Sequence, residues 1–125
     1  MSLSINIRQT EDVSIVDVVG RVTLGDGAAS LRDALRKMGR DGRKKILLNL
    51  AETTNIDSSG LGVLVAGFAS VANHGGQLKL VSLTSRVHNL LLITKLYSVF
   101  EVFDEEGLGV RSFQGNSARV PALSA

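Results

Sequence analysis

The sequence predicts an α/β domain: a mixed, largely parallel sheet of about five strands, an N-terminal hairpin and about three to four helices. Three observations predict it. Short apolar runs alternate with segments of helical periodicity, the pattern of strand–helix–strand units. Lys45-Ile46-Leu47-Leu48-Asn49-Leu50 is too short for a helix and apolar on both faces, as a strand inside a parallel sheet is. Ile5 and Ile7, then Val13 and Ile15, alternate on either side of Glu11-Asp12, which reads as two strands joined by a tight polar turn.

The second strand is expected to end at Val18-Val19-Gly20, and Gly25-Asp26-Gly27 breaks the chain. Ala28 to Met38 reads as a helix, with Leu31, Ala34, Leu35 and Met38 at spacings of three and four and Arg32, Asp33, Arg36 and Lys37 on the other face. Gly39 to Gly42 stops it. After the apolar strand, a second helix runs from about Ser58 to Asn73 and stops at His74-Gly75-Gly76. Gln77 to Leu83 alternates as the next strand. Thr84 is a plausible cap for a third helix, Ser85 to about Thr94, with Val87, Leu90, Leu91 and Leu92 turned wholly or partly inward. Val99 to Phe103 closes the sheet, and Asp104 to Phe113 holds a last short helix or turn. Residues 1–113 thus form one domain, and 114–125, small, polar and carrying the only proline, read as a loose tail.

The 125 residues suffice for one hydrophobic core, and aromatic residues are only 4% of them, so that core is aliphatic. There is no cysteine, hence no disulfide framework and no thiolate site. A net charge of +2, mixed along the chain, gives no basis for nucleic-acid binding. No apolar run reaches membrane-spanning length and no signal peptide opens the chain, so a cytoplasmic protein is the expectation. Gly25-Asp26-Gly27 lacks the spacing of a dinucleotide fingerprint, and no phosphate loop is present. His74 and His88 stand apart and suggest no metal. Ser58 lacks the glycine-flanked elbow of hydrolases, and nothing nominates a base for it. A non-enzyme with no cofactor is expected. A small nucleotide-binding or hydrolytic α/β protein is the competing class that these absences count against.

Asn55-Ile56-Asp57-Ser58-Ser59-Gly60-Leu61-Gly62-Val63 is the most informative stretch. It places a polar cluster where a strand gives way to a helix. The first N–H groups of a helix lack partners inside it and the dipole is positive there, so the corner tolerates negative charge. The serines are either helix caps or acceptors for a phosphate. Between Ser58 and Asn73 no residue is charged. At about 100° per residue, Leu61, Leu64, Val65, Phe68 and Ala72 share a face that should pack on the sheet. Gly62, Val63, Ala66, Ser70 and Asn73 fall opposite. Either another element covers that face, or small residues there let a partner approach closely. Gly60 and Gly62 leave the same choice between tight packing and room for a partner.

Asp57-Ser58-Ser59-Gly60-Leu61-Gly62-Val63 after an aliphatic strand resembles the signature of the STAS domain, and more specifically of the bacterial anti-sigma-factor antagonists. Val19-Gly20-Arg21-Val22, Gly75 to Val81, and Val87 to Phe103 resemble the family's flanking elements, so the resemblance covers about residues 4 to 107. It implies a STAS-type fold and a binding protein. The partner is an anti-sigma factor that is also a serine kinase. Phosphorylation of the serine matching Ser58 breaks the complex, and a serine phosphatase restores it. Asp57 matches the motif acid. Ser59, Gly60, Gly62, Val63 and Ala66 are expected at the partner contact, with Thr23 and Asp26 in the neighbouring loop. Many members carry an acid where this chain has Thr23, and the nearest acid is Asp26, set between two glycines that could let it swing in. A STAS interaction subunit of a signalling or transport assembly, never phosphorylated, is the alternative. Neither nucleic acid nor membrane is expected as a partner, and the sequence leaves the oligomeric state open.

Overall fold

The computed structural model describes residues 3–113, so the expected tail at 114–125 lies outside the described residues. The chain runs β1 (Leu3–Thr10), β2 (Val13–Val22), α1 (Asp26–Arg40), β3 (Lys45–Asn49), β4 (Thr53–Ile56), α2 (Ser58–Asn73), β5 (Gln77–Val81), α3 (Ser85–Ile93) and β6 (Val102–Phe103). A helix, α4, follows over 106–113. The strands form one six-stranded sheet in the order β1-β2-β3-β5-β6, with β4 pairing β2 off that path. Only the β1–β2 hairpin is antiparallel; every other pairing is parallel.

Hairpin, central strand and helix order are as the sequence predicts. β4 is the difference. Thr53-Thr54-Asn55-Ile56 has no apolar run, yet β2 is long enough for two neighbours: its first half pairs β3 and its end pairs β4 past a register shift at Gly20/Arg21. Thr53 is fully buried there, and its hydroxyl donates to the Val18 carbonyl at 2.7 Å, satisfying the polar group that hides this strand from a hydrophobic pattern. The closing strand is shorter than expected, because Val99 and Phe100 are drawn into a turn in which Val99 N donates to the Leu96 carbonyl. Phe100 is buried edge-on to Phe68, with ring centroids 5.4 Å apart.

The main core lies on one side of the sheet, where Val16, Leu48, Leu64 and Leu80 meet Leu31 and Leu35 of α1 and Val87 and Leu91 of α3. The other side carries a smaller core of Val13, Ile15, Leu47 and Val81 under Val110 and Phe113 of α4. Leu31, Leu35 and Met38 of α1 face inward as their spacing requires. In α2 the faces are turned from the expected setting: Val63 and Val71 are buried and Ala72 is exposed. The cause is α1, which packs beside α2, so that α2 buries one flank on the sheet and a second flank on Leu35.

Candidate functional site

The β4–α2 corner is built around Asp57. This residue is the N-cap of α2, in extended backbone geometry, and its Oδ1 accepts from Gly60 N at 3.0 Å. Its Oδ2 accepts from the backbone N–H of Leu24 at 2.9 Å. One carboxylate therefore starts the helix and holds the β2–α1 loop against it. The two N–H donors, Leu24 first and Gly60 second, stabilise the charged form and hold the Asp57 carboxyl below its ordinary pKa.

Asp57 takes the capping role, which leaves Ser58 free. Ser58 is the first residue of α2, exposed, and its hydroxyl has no hydrogen-bond partner among the described residues. Ser59 is half-buried and lies at the head of a groove between α1 and α2. Gly60 is buried: a Cβ there would overlap the Val22 carbonyl oxygen and stand 2.8 Å from Ile56 Cγ2. Gly62 has open space around its Cα and lines the groove. The two glycines thus answer differently, Gly60 to packing and Gly62 to access.

The groove has a volume of about 430 Å³. Ala66 and Ser70 are exposed along it. Val63, expected on an open face, is only 7% exposed and forms part of the floor with Leu35. Across from α2, Arg32 and Arg36 of α1 line the other wall.

Thr23 and Asp26 lie in the loop that Asp57 anchors. The Thr23 carbonyl accepts from Ala28 N at 2.9 Å and so ties the loop to the start of α1. Asp26 is exposed at the first helical position, and the N-cap is Gly25, so Asp26 is not the cap of α1. Its flanking glycines are committed rather than free. Gly25 holds φ 101°, a conformation that favours glycine, and Gly27 is buried where a Cβ would overlap the Arg21 carbonyl oxygen.

Sequence reasoning missed three residues here. Leu24 is 80% exposed beside Asp57. An apolar residue inside a glycine-bounded turn, outside any strand or helix period, is the signal for it. Arg32 and Arg36 read only as the polar face of α1. Their four-residue spacing opposite an uncharged helix becomes informative once α1 and α2 are adjacent.

These features describe a small α/β binding module with a free hydroxyl at a capped helix start and a groove leading from it. The STAS domain model matches residues 4–108, and the chain belongs to that family. Family membership makes it a regulatory binding protein and not an enzyme. The chain is 30% identical over 111 residues to the anti-sigma-B factor antagonist of Bacillus subtilis, an alignment covering 89% of this chain and 100% of that protein. The fold is similar to that of an anti-sigma factor antagonist from Mycobacterium paratuberculosis, with a TM-score of 0.78, 19% identity, and coverage of 89% and 93% of the two chains. It is also similar to the anti-sigma factor antagonist SpoIIAA of Bacillus in its unphosphorylated form, with a TM-score of 0.68, 14% identity, and coverage of 90% and 99%. The phosphorylated form of SpoIIAA gives a TM-score of 0.69 at 13% identity, covering 88% and 99%. No helix among the described residues is long and apolar enough to cross a membrane.

Proposed function

We propose that this chain is a cytoplasmic anti-sigma-factor antagonist whose hold on an anti-sigma factor is released by phosphorylation of Ser58. The partner is a serine kinase as well as an anti-sigma factor. It transfers the γ-phosphoryl group of ATP to Ser58 Oγ; ADP leaves and the hydroxyl proton goes to solvent or base. A serine phosphatase returns the free hydroxyl by hydrolysis. In the unmodified state the corner formed by Asp57, Ser58 and Ser59, together with Thr23, Asp26, Gly62 and Ala66, meets the partner.

The observation that carries this reading is the division of labour at the helix start. Asp57 supplies the cap and Ser58 keeps a free, exposed hydroxyl. A phosphate adds about −1.5 to −2 charges at neutral pH. At the N-terminus of α2 the fold tolerates that charge. Beside the ionised Asp57, and against a partner packed on an uncharged helix, the same charge is repulsive. Binding is abolished while the domain stays folded.

Phosphopeptide mapping of the protein purified from its own host tests the modification, and phosphate at Ser58 is expected. A titration of the host's anti-sigma factor with Ser58→Asp and Ser58→Ala tests the switch. Ser58→Asp should bind far more weakly with an unchanged circular dichroism spectrum, and Ser58→Ala should bind like the wild type. Equal affinity of all three would sink the proposal and leave an interaction subunit that is never phosphorylated.

A further inference from the structure

We propose that the groove between α1 and α2 receives an acidic segment of the anti-sigma factor, selected by Arg32 and Arg36. This rests on the reading of the chain as an anti-sigma-factor antagonist and names the chemistry of its second contact. The groove holds about 430 Å³, with Leu35 and Val63 at its base and Ala66 and Ser70 along one wall. From Ser59 to Ser70 that wall extends about 16 Å at the helical rise. A single phosphate or similar small anion fills only a fraction of such a length. An extended apolar base suits the side chains of a polypeptide segment.

Charge decides what that segment carries. The α2 wall contributes no ionised group between Ser58 and Asn73. The α1 wall contributes Arg32 and Arg36, one helical turn apart and therefore on the same face. Among the described residues, Arg36 has no ion pair or hydrogen bond, and Arg32 has only its exposed neighbour Asp33 at 3.8 Å. No carboxylate lines the groove. Two guanidinium groups above an uncharged base call for carboxylates spaced about one turn apart on the incoming segment. Because the groove begins at Ser59, the segment docks next to the modifiable hydroxyl and aligns the partner on Ser58 without occupying the phosphate position.

The test is a calorimetric titration of the host's anti-sigma factor with the wild type, Arg32→Gln/Arg36→Gln and Ser58→Asp at low and moderate salt. The double variant should lose about 10- to 100-fold in affinity at low salt, and its affinity should respond less to salt than that of the wild type. Both arginines are exposed, so the melting temperature should stay at the wild-type value. Unchanged affinity of the double variant alongside weakened Ser58→Asp overturns the groove and leaves the switch standing. The reverse result overturns the switch and keeps the groove. Self-association of the chain that the double variant abolishes makes a second copy the occupant and overturns the proposal. So does ATP or inorganic phosphate perturbing groove resonances in the free chain but not in the double variant.

Discussion

Asp57 Oδ2 lies 2.9 Å from the backbone nitrogen of Leu24, 33 residues earlier in the chain. This bond makes the loop before α1 and the start of α2 one unit, with the exposed Leu24 side chain and the Ser58 hydroxyl on its surface. The other oxygen of the same carboxylate caps α2 through Gly60 N. Asp57→Ala therefore removes one tertiary bond and one helix cap, and Asp57→Asn keeps at most one good acceptor. Thermal melts should rank Asp57→Ala below Asp57→Asn and both below the wild type. Asp26→Asn, at a helix start where Gly25 holds the cap position, should melt close to the wild type. A melting temperature for Asp57→Ala equal to the wild type would remove the anchoring role.

Gly60 and Gly62 make a sharper pair, since they lie two residues apart in the same turn. Gly60→Ala places a methyl group against the Val22 carbonyl and Ile56, both held by β2–β4 pairing. Overpacking of this kind costs about 1–3 kcal/mol or more. Gly62→Ala meets nothing, and the gain in helix propensity is up to about 1 kcal/mol. Urea denaturation should move the two midpoints in opposite directions. A shift of the same sign in both would refute the assignment of Gly60 to packing.

The far side of the sheet gives the chain an acid-sensitive clasp. Arg8 grips Asp17 with Nε and Nη2 at 2.7 and 2.8 Å, and Nη2 also reaches Glu106 of α4 at 2.7 Å. Hydrogen bonds from Arg8 are the first cause of the lowered pKa of both Asp17 and Glu106. Carboxylates with lowered folded-state pKa values contribute stability that is complete above their unfolded values, about 3.9 and 4.3. That contribution is lost as pH falls through the lowered folded values. These groups are partly solvated, so each pair is worth about 1 kcal/mol or less. Urea midpoints measured at about pH 7 and about pH 3 should differ less in Arg8→Gln than in the wild type. An identical pH dependence would show that the clasp does not couple to folding.

The limits of the α2 prediction show what the sequence carries and what it does not. Its bounds, Ser58 to Asn73, are legible because a cap residue opens it and glycines close it. Thr84 is legible as a cap for the same local reason, and its hydroxyl accepts from Val87 N at 3.2 Å. The facing of Val63 and Ala72 is not legible, because it depends on α1 lying beside α2, a relation between segments far apart in the chain. The burial of Lys79 depends on distant packing in the same way. The side chain is 3% exposed, under α4. Its ammonium donates to Ser112 at 3.0 Å, meets Glu101 at 3.3 Å, and lies 4.4 Å from the Phe113 ring centroid. At the candidate site, the motif Asp57-Ser58 is local and was readable. The groove and its arginines arise only when two helices come together.

Ala66 and Ser70 decide whether the exposed strip of α2 is a contact. Both point into open groove, so Ala66→Arg and Ser70→Glu should change stability by no more than about 0.5 kcal/mol. Their effects on association should nevertheless both be large. Ala66→Arg fills the groove with a long side chain and denies a partner its close approach to the helix backbone. Ser70→Glu supplies an acid to the two arginines from within the chain, and so competes with acidic groups of the partner. Raising salt should partly restore binding to Ser70→Glu, because its penalty is electrostatic, and should not restore Ala66→Arg, whose penalty is steric. Titration of the anti-sigma factor at two salt concentrations, with a urea melt of each variant, checks both halves. If both variants unfold the domain, the strip is internal; if both bind like the wild type, the partner contacts α2 elsewhere.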